Sequence, residues 1–242
     1  MPTHWYHGKI NDIKSISSTT KHFVVEIIDA ERVFDFIPGQ FVTMDLPVGE
    51  KRLARWRSYS IANRPGQNNV LEFCIVKSES GLATEYLFDV AKIGSELKFK
   101  GPDGGFVLPP DLSQEIIMIC TGTGVAPFRS MIHHIIEHKM PFKGIHLIFG
   151  TRKAENILYQ EEFAKIASDD DNFKYSIALS REEHEDYYHG YVHEIYMELY
   201  KEKQNDRQFY ICGWSHMIDD AVANILVKLK YDKSQIHYEL YG

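Results

Sequence analysis

The chain has 242 residues, 44% of them hydrophobic and 25% charged, with a formal net charge of -7. This composition excludes disorder, collagen and coiled coil, and the acidic balance argues against a general nucleic-acid binder. No apolar run approaches the ~18 residues of a membrane helix, Met1-Pro-Thr-His-Trp-Tyr-His carries no apolar signal-peptide core, and three scattered cysteines, Cys74, Cys120 and Cys212, exclude a disulfide scaffold, a zinc ribbon and a plant-type iron–sulfur loop; the expectation is a cytoplasmic protein with no membrane and no nucleic-acid partner.

From 5 to 100 the pattern is short and β-like. Phe23-Val-Val-Glu-Ile-Ile, Gln40-Phe-Val-Thr-Met-Asp-Leu, Arg57-Ser-Tyr-Ser-Ile-Ala and Val70-Leu-Glu-Phe-Cys-Ile-Val-Lys are rich in β-branched and aromatic residues. Turn residues punctuate them at Pro38-Gly39, Pro65-Gly66 with Asn68-Asn69, and Gly101-Pro-Asp-Gly-Gly105. This spacing predicts an antiparallel barrel or sandwich, with one helix at about 82–89. From 115 the rhythm changes: strands at Ile116–Cys120, Gly144–Gly150, Phe173–Leu179, Gln208–Cys212 and Ile236–Tyr241 alternate with helices at Ala126–Glu137, Gln160–Ala167, Val192–Lys201 and His216–Leu229. Such alternation predicts a doubly wound parallel sheet. The chain therefore reads as two domains, 1–109 and 110–242, meeting near Leu108-Pro109-Pro110.

Charge follows this division. The first 109 residues hold 13 basic and 13 acidic side chains, and the rest hold 14 and 21. Lys51, Arg52, Arg55, Arg57 and Arg64 cluster with almost no acid between them, as a solvated loop or as a site for phosphates or an acidic partner.

Three segments carry chemistry. Thr121-Gly-Thr-Gly-Val-Ala-Pro-Phe-Arg-Ser follows a buried strand and opens a helix, where glycines admit a ligand to the backbone and the helix start favours anions. Pro127 stands at the third glycine of the G-x-G-x-x-G fingerprint and no Gly-Lys-Ser/Thr follows, so neither that fingerprint nor a P-loop is present. In Arg57-Ser-Tyr-Ser the Arg can pair with phosphate, the Tyr ring can stack on a flat heterocycle and a Ser hydroxyl can hydrogen-bond it; alone, the segment also reads as a surface strand. Glu239-Leu-Tyr-Gly242 ends a strand of the parallel sheet, at the edge where ligands bind.

Together these residues resemble the ferredoxin–NADP⁺ reductase family, in order and over nearly the whole length. Arg57-Ser-Tyr-Ser resembles the flavin motif, and Gly81-Leu-Ala-Thr-Glu-Tyr-Leu the pyrophosphate segment, with Thr84 where the family has Ser. Gly101-Pro-Asp-Gly-Gly-Phe is similar to the loop before the linker, and Thr121 to Ser130 to the nicotinamide-side loop. Phe149-Gly-Thr-Arg, Ile157-Leu-Tyr-Gln-Glu-Glu-Phe and Ser180-Arg-Glu resemble nucleotide-holding segments. Cys212-Gly, followed by Met217, resembles the cysteine–glycine loop at the hydride-transfer site. One departure is that Gly242 follows Tyr241, where plant-type members end on Tyr.

The resemblance implies an FAD-binding β-barrel followed by an NAD(P)-binding domain, and an enzyme passing electrons from NADPH to ferredoxin or flavodoxin. It implies that Arg57 neutralises the FAD pyrophosphate with Thr84 beside it, that Tyr59 stacks on the isoalloxazine and that Ser60 sits near flavin N5. Val76, Leu82 and Ala83 would complete that site. NAD(P)H would lie over Thr121, Gly122, Thr123, Gly124 and Pro127, with Cys212 and Gly213 beside the nicotinamide, Cys212 positioning it and not acting as a nucleophile. Glu239 would orient the nicotinamide or relay a proton, and Tyr241 would cover the flavin. Arg152, Ser180 and Arg181 stand where the 2′-phosphate of NADPH is held, with Glu182, Glu183 and Glu185 close by keeping NADH open. The basic stretch Lys51–Arg64 suits an acidic carrier protein, and the expected state is a monomer or weak dimer. Two rivals stand beside this: a flavin reductase or oxygenase reductase component, and a non-catalytic flavin-binding electron-transfer or sensor module. His134-Ile-Ile-Glu-His138 fits a zinc-protease pattern, but it falls at the far end of the nucleotide-loop helix and is read as exposed helix histidines; no metal is expected.

Overall fold

In a computed structural model, which describes residues 4–29, 33–66 and 69–241, the strand-like runs of the first half pair into one antiparallel sheet. Its elements are β1 (Trp5–Ser15), β2 (Thr20–Ile27), β3 (Phe41–Asp45), the short helix α1 (Arg52–Arg55), β4 (Trp56–Ser60), β5 (Val70–Val76), α2 (Leu82–Glu85) and β6 (Glu96–Asp103). The strand order is β4-β3-β6-β1-β2-β5, and a bridge between Ile61 and Phe73 joins the two edges, closing a barrel. Alternate residues point inward and are buried: Ile10, Phe23, Val25, Val42, Met44, Leu71, Phe73, Leu97 and Phe99.

Strands β1 and β6 are missing from the sequence expectation. β1 fully buries only Gly8 and Ile10 among its eleven residues, so its alternation is lost among polar side chains. β6 runs through Gly101-Pro102, which reads as a turn; a register shift against β3 between Phe41 and Thr43 absorbs the pair. The expected helix at 82–89 is one α turn followed by a π turn, Tyr86–Val90.

The second half supplies β7 (Glu115–Thr121), α3 (Val125–Glu137), β8 (Gly144–Thr151), α4 (Gln160–Asp169), β9 (Phe173–Leu179), β10 (Tyr188–His189), α5 (Val192–Leu199), β11 (Arg207–Trp214), α6 (Ser215–Ala223), extended by a π turn Asn224–Lys228, and β12 (Ile236–Tyr241). The strands form a parallel sheet in the order β10-β9-β8-β7-β11-β12. Ile117, Ile119, Ile148, Phe209 and Ile211 pack one of its faces against Val192, Ile195, Ile218 and Ala221 of α5 and α6. From β7 the chain builds β8 and β9 to one side, then β11 and β12 to the other. The carboxyl ends of β7 and β11 are therefore the switch point, where such sheets bind ligands.

The molecule divides into two compact units, one of residues up to Leu108 with Ala126–His138, the other of Pro109–Val125 with the chain from Lys139 onward. The chain thus enters the first unit after Val125, the first residue of α3, and leaves it after His138. No described helix is long and apolar enough to cross a membrane.

Candidate functional site

In the first unit, strand pairing sets Arg57, Tyr59 and Ser60 opposite Met44, Val42 and Phe41. Arg57 is exposed, and its Nη1 donates to the carbonyls of Leu53 and, at 2.7 Å, Trp56. Tyr59 is half-buried against the barrel core that includes Ala83 and Leu87. Burial pushes its hydroxyl up to about 12 against the opposing charge of Arg57, so the ring stays neutral and flat-faced. Ser60 is buried.

Val76 ends β5, and the 78–84 loop that follows is tied together by Thr84. Its Oγ1 accepts from the Ser78 N–H at 3.1 Å and donates to the Gly81 carbonyl at 3.0 Å. Thr84 thus shapes this loop, a task its family position does not disclose. Leu82 is exposed, Ala83 is buried, and the Leu82 side chain approaches Gly49 in the turn before α1. One unit therefore brings Arg57, Tyr59, Leu82, Ala83 and Thr84 to neighbouring elements. An exposed guanidinium, a half-buried neutral phenol ring and a hydroxyl-bearing loop suit a planar, anionic cofactor.

In the second unit, Gly122–Gly124 form a 3₁₀ turn between β7 and α3. This turn is seated on the end of β11. A Cβ on Gly124 would lie 2.3 Å from the Cys212 carbonyl oxygen, and a Cβ on Gly213 (φ +145) would lie 2.5 Å from Thr121 Oγ1. The two glycine segments singled out in the sequence thus need each other: their backbones approach too closely for any side chain. The buried Thr121 Oγ1 has no hydrogen-bond partner among the described residues. A buried hydroxyl at the switch point with its hydrogen bonds unmade fits a polar ligand group. Pro127 is buried in the first turn of α3, where a missing N–H costs nothing.

Sheet register places Cys120, Cys212 and Glu239 in one row across β7, β11 and β12. Both cysteines are fully buried. Burial pushes the Cys212 thiol well up, helped by the charge of Glu239 and by Cys120, against hydrogen bonding from Tyr241 and the Gly213 backbone. Burial and the raised pKa keep Cys212 in its protonated, uncharged form. Tyr241 pairs in register with Trp214. Gly242 lies outside the described residues.

At the carboxyl ends of β8 and β9 the pairing continues past the strands. The Ser180 N–H donates to the Thr151 carbonyl and the Arg181 N–H to the Arg152 carbonyl, both at 3.0 Å. Arg152 and Arg181 are both exposed here. Glu182 turns away from solvent, its Oε2 accepting from the Ala154 N–H at 2.9 Å.

The basic cluster needs correction. Arg55 is paired with Asp45 at 2.8–2.9 Å, and Arg64 with Glu137 of α3, so neither stands ready for a ligand. The sequence missed other contributors, because they come from distant strands. The Arg52 guanidinium lies 3.8 Å from the Trp56 ring and Lys100 Nζ 5.0 Å from it; Lys98 Nζ lies 5.2 Å from Trp5, which meets Trp56 edge-on at 5.1 Å. Trp56 is the centre of this patch. His134 and His138 have ring centres 4.3 Å apart, and no group of three potential metal ligands occurs among the described residues.

Comparison with known proteins places these units. Residues 7–108 match the oxidoreductase FAD-binding domain and residues 118–223 the oxidoreductase NAD-binding domain. The chain is 29% identical to the phenol hydroxylase P5 protein of Acinetobacter pittii over 97% of its own length, spanning 65% of that relative. It is 28% identical to ferredoxin–NADP reductase B of Sorangium cellulosum over 98% of its length and 97% of that protein. The fold matches the cytochrome P450 reductase GcoB of Amycolatopsis with a TM-score of 0.88 at 24% identity, covering 99% of this chain and 70% of that one.

Proposed function

The chain belongs to the ferredoxin–NADP reductase-like family of FAD- and NAD-binding oxidoreductases, and from that premise we propose that it draws electrons from NADPH through FAD and delivers them to a small acidic carrier protein, ferredoxin or flavodoxin. The observation that carries this reading is the Thr121–Gly124 loop seated on Cys212–Gly213, with the buried Thr121 hydroxyl lacking a partner among the described residues.

FAD, when bound, supplies the exchange between two-electron hydride acceptance and single-electron release. The residues of this chain bind and orient. In the FAD-binding domain, 1–109, Arg57 and the 78–84 segment tied by Thr84 would hold the pyrophosphate. Tyr59 would offer its ring to the isoalloxazine and Ser60 its hydroxyl, with Val76, Leu82 and Ala83 completing the site. In the NAD(P)-binding domain, 110–242, Thr121 through Gly124 and Pro127 cradle the nucleotide. Cys212 and Gly213 present an uncharged surface to the nicotinamide, Glu239 orients it or relays a proton, and Tyr241 would cover the flavin. Arg152, Ser180 and Arg181 take the 2′-phosphate. Of the three acids that would favour a bare ribose hydroxyl, Glu182 is engaged by the Ala154 N–H, while Glu183 and Glu185 are exposed; the exposed Arg152 and Arg181 support NADPH.

An acidic carrier is supported by the patch of Arg52, Lys98 and Lys100 around Trp5 and Trp56, where opposite charge speeds and orients encounter. A second reading, reductase component of an oxygenase, is supported by the similarity to the phenol hydroxylase P5 protein; the carrier accepted decides between them. The test is anaerobic addition of NADPH or NADH to the purified yellow protein. Rapid bleaching by NADPH and slow bleaching by NADH is expected; equal rates remove the NADPH assignment, and a flavin neither nucleotide bleaches removes the reductase reading.

A further inference from the structure

The TGTG segment continues into Phe128-Arg129-Ser130, and these residues are bonded to the flavin-side segment. Arg129 Nη1 donates to Glu72 Oε2 at 2.6 Å and to the Ala62 carbonyl at 3.1 Å. Ser130 Oγ donates to the Asn63 carbonyl at 2.6 Å. The recipients are themselves fixed: the Glu72 N–H donates to Asn63 Oδ1 and Asn63 Nδ2 to the Val70 carbonyl, both at 2.8 Å, and the Ala62 N–H donates to the Glu72 carbonyl at 2.8 Å. His22 Nε2 lies 3.4 Å from the same Glu72 carboxylate oxygen. Ala62 and Asn63 follow Ser60 by two and three residues, and Arg129 follows Gly124 by five.

Glu72 and Arg129 are 19% and 14% exposed. A pair this sheltered gains little net stability, because desolvation offsets attraction. Burial alone would raise the Glu72 carboxyl, yet the hydrogen bond with His22 and the charge and hydrogen bond of Arg129 hold it at about 2. The carboxylate is thus charged at every working pH, a permanent acceptor of fixed direction. An apolar contact at this spot would pack α3 as well and leave it free to slide.

Resting on the reductase reading above, we propose that Arg129 is a positioning residue: by clamping the first turns of α3 to Ala62 and Glu72, it fixes the downstream end of the Thr121–Gly124 loop for hydride transfer. Arg129 touches no reacting atom in this account. It acts through the four residues between itself and Gly124, and the single residue between Ser60 and Ala62, Ile61, ties the same clamp to the flavin motif.

Three variants and two readouts test it. Arg129→Ala should keep its FAD through gel filtration and lower the rate of flavin reduction at saturating NADPH about tenfold, the scale of a small misplacement. Arg129→Lys should recover most of that loss. Glu72→Gln should fall with Arg129→Ala, and the double variant should be no slower than Arg129→Ala alone. Hydrogen–deuterium exchange without nucleotide should rise in peptides covering 120–127 in Arg129→Ala. Wild-type reduction rate in Arg129→Ala, a loss accounted for by departed FAD, or a multiplied effect in the double variant would each overturn the clamp. If the wild-type flavin is bleached by neither nucleotide, the reductase reading falls; unchanged exchange at 120–127 overturns the clamp independently of it.

Discussion

Gly124 and Cys212 touch through their backbones: the Cβ that Gly124 lacks would lie 2.3 Å from the Cys212 carbonyl oxygen and 2.8 Å from the Gly213 nitrogen. Both obstacles are main chain, so no side chain can swing aside. Gly124→Ala should therefore push the loop off β11. The expected cost is that of overpacking, about 1–3 kcal/mol, or about 3–10 °C in Tm for a chain of this length. The FAD of the other unit should stay bound while NADPH affinity falls. A Gly124→Ala protein with unchanged Tm and unchanged reduction kinetics would show that the loop yields freely.

Cys212 should behave as a neutral, sealed thiol. Like Cys74 and Cys120 it is buried and outside any disulfide, and its pKa is raised well above that of an ordinary cysteine. Iodoacetamide at pH 8 should leave all three unmodified in the native protein and label all three in denaturant, as mass spectrometry reads directly. Cys212→Ala should retain FAD and slow flavin reduction about tenfold through lost packing. Rapid native labelling of Cys212 would contradict the sealed site.

Local pattern made β9 and β12 readable to the residue, because their β-branched and aromatic residues are closely flanked by polar and turn residues. The loop glycines were readable too, though their reason was not. Sequence shows Gly124 and Gly213 as places for a ligand; only the register of β7 beside β11 shows them packed on each other. The clamp was invisible for a similar reason. Glu72 and Arg129 are separated by 57 positions, and no spacing rule links a strand carboxylate to a helix arginine in another part of the chain. Arg64 misled because charge clustering along the chain ignores Glu137, which the fold brings to it. Trp5 and Lys100 are opposite each other in the β1–β6 pair, a neighbour relation that exists only once those two weakly patterned strands are known.

Nucleotide choice should follow Arg152 and Arg181. A charge-assisted hydrogen bond to phosphate is worth about 1.5–3 kcal/mol. Arg152→Ala or Arg181→Ala should thus raise KM for NADPH by roughly 10–100-fold and leave KM for NADH within about twofold. Equal losses with both nucleotides would mean that these arginines shape the loop and do not select the phosphate.

Stability should fall between pH 7 and pH 5, and His146 should account for a defined part of the fall. His146 is the third residue of β8, an inner strand of the parallel sheet, and 2% exposed. Its Nδ1 is 2.7 Å from the Tyr200 hydroxyl and its Nε2 is 2.9 Å from Ser176 Oγ, so both ring nitrogens are satisfied by neutral groups. Burial first, and then the charge of Lys174, pull its pKa from 6.5 down to about 4. The unfolded chain therefore takes up the proton before the folded one does. The contribution of His146 is complete above pH 6.5 and is lost as pH falls from there towards 4, about 2 kcal/mol of it between pH 7 and pH 5. Glu72, held at about 2, keeps its own contribution until pH drops below 4.5, outside this window. His134, His193 and His237 are lowered as well, so the wild-type slope alone does not isolate one residue. His146→Gln does: it keeps a donor and an acceptor in the sheet and removes the titration. Urea unfolding of both proteins at pH 7 and pH 5 should show the wild type losing about 2 kcal/mol more than the variant over that interval. Parallel losses in the two proteins would mean that His146 accepts its proton in the folded state as readily as in the unfolded one, and that the Tyr200–His146–Ser176 chain tolerates a charge at the centre of the sheet.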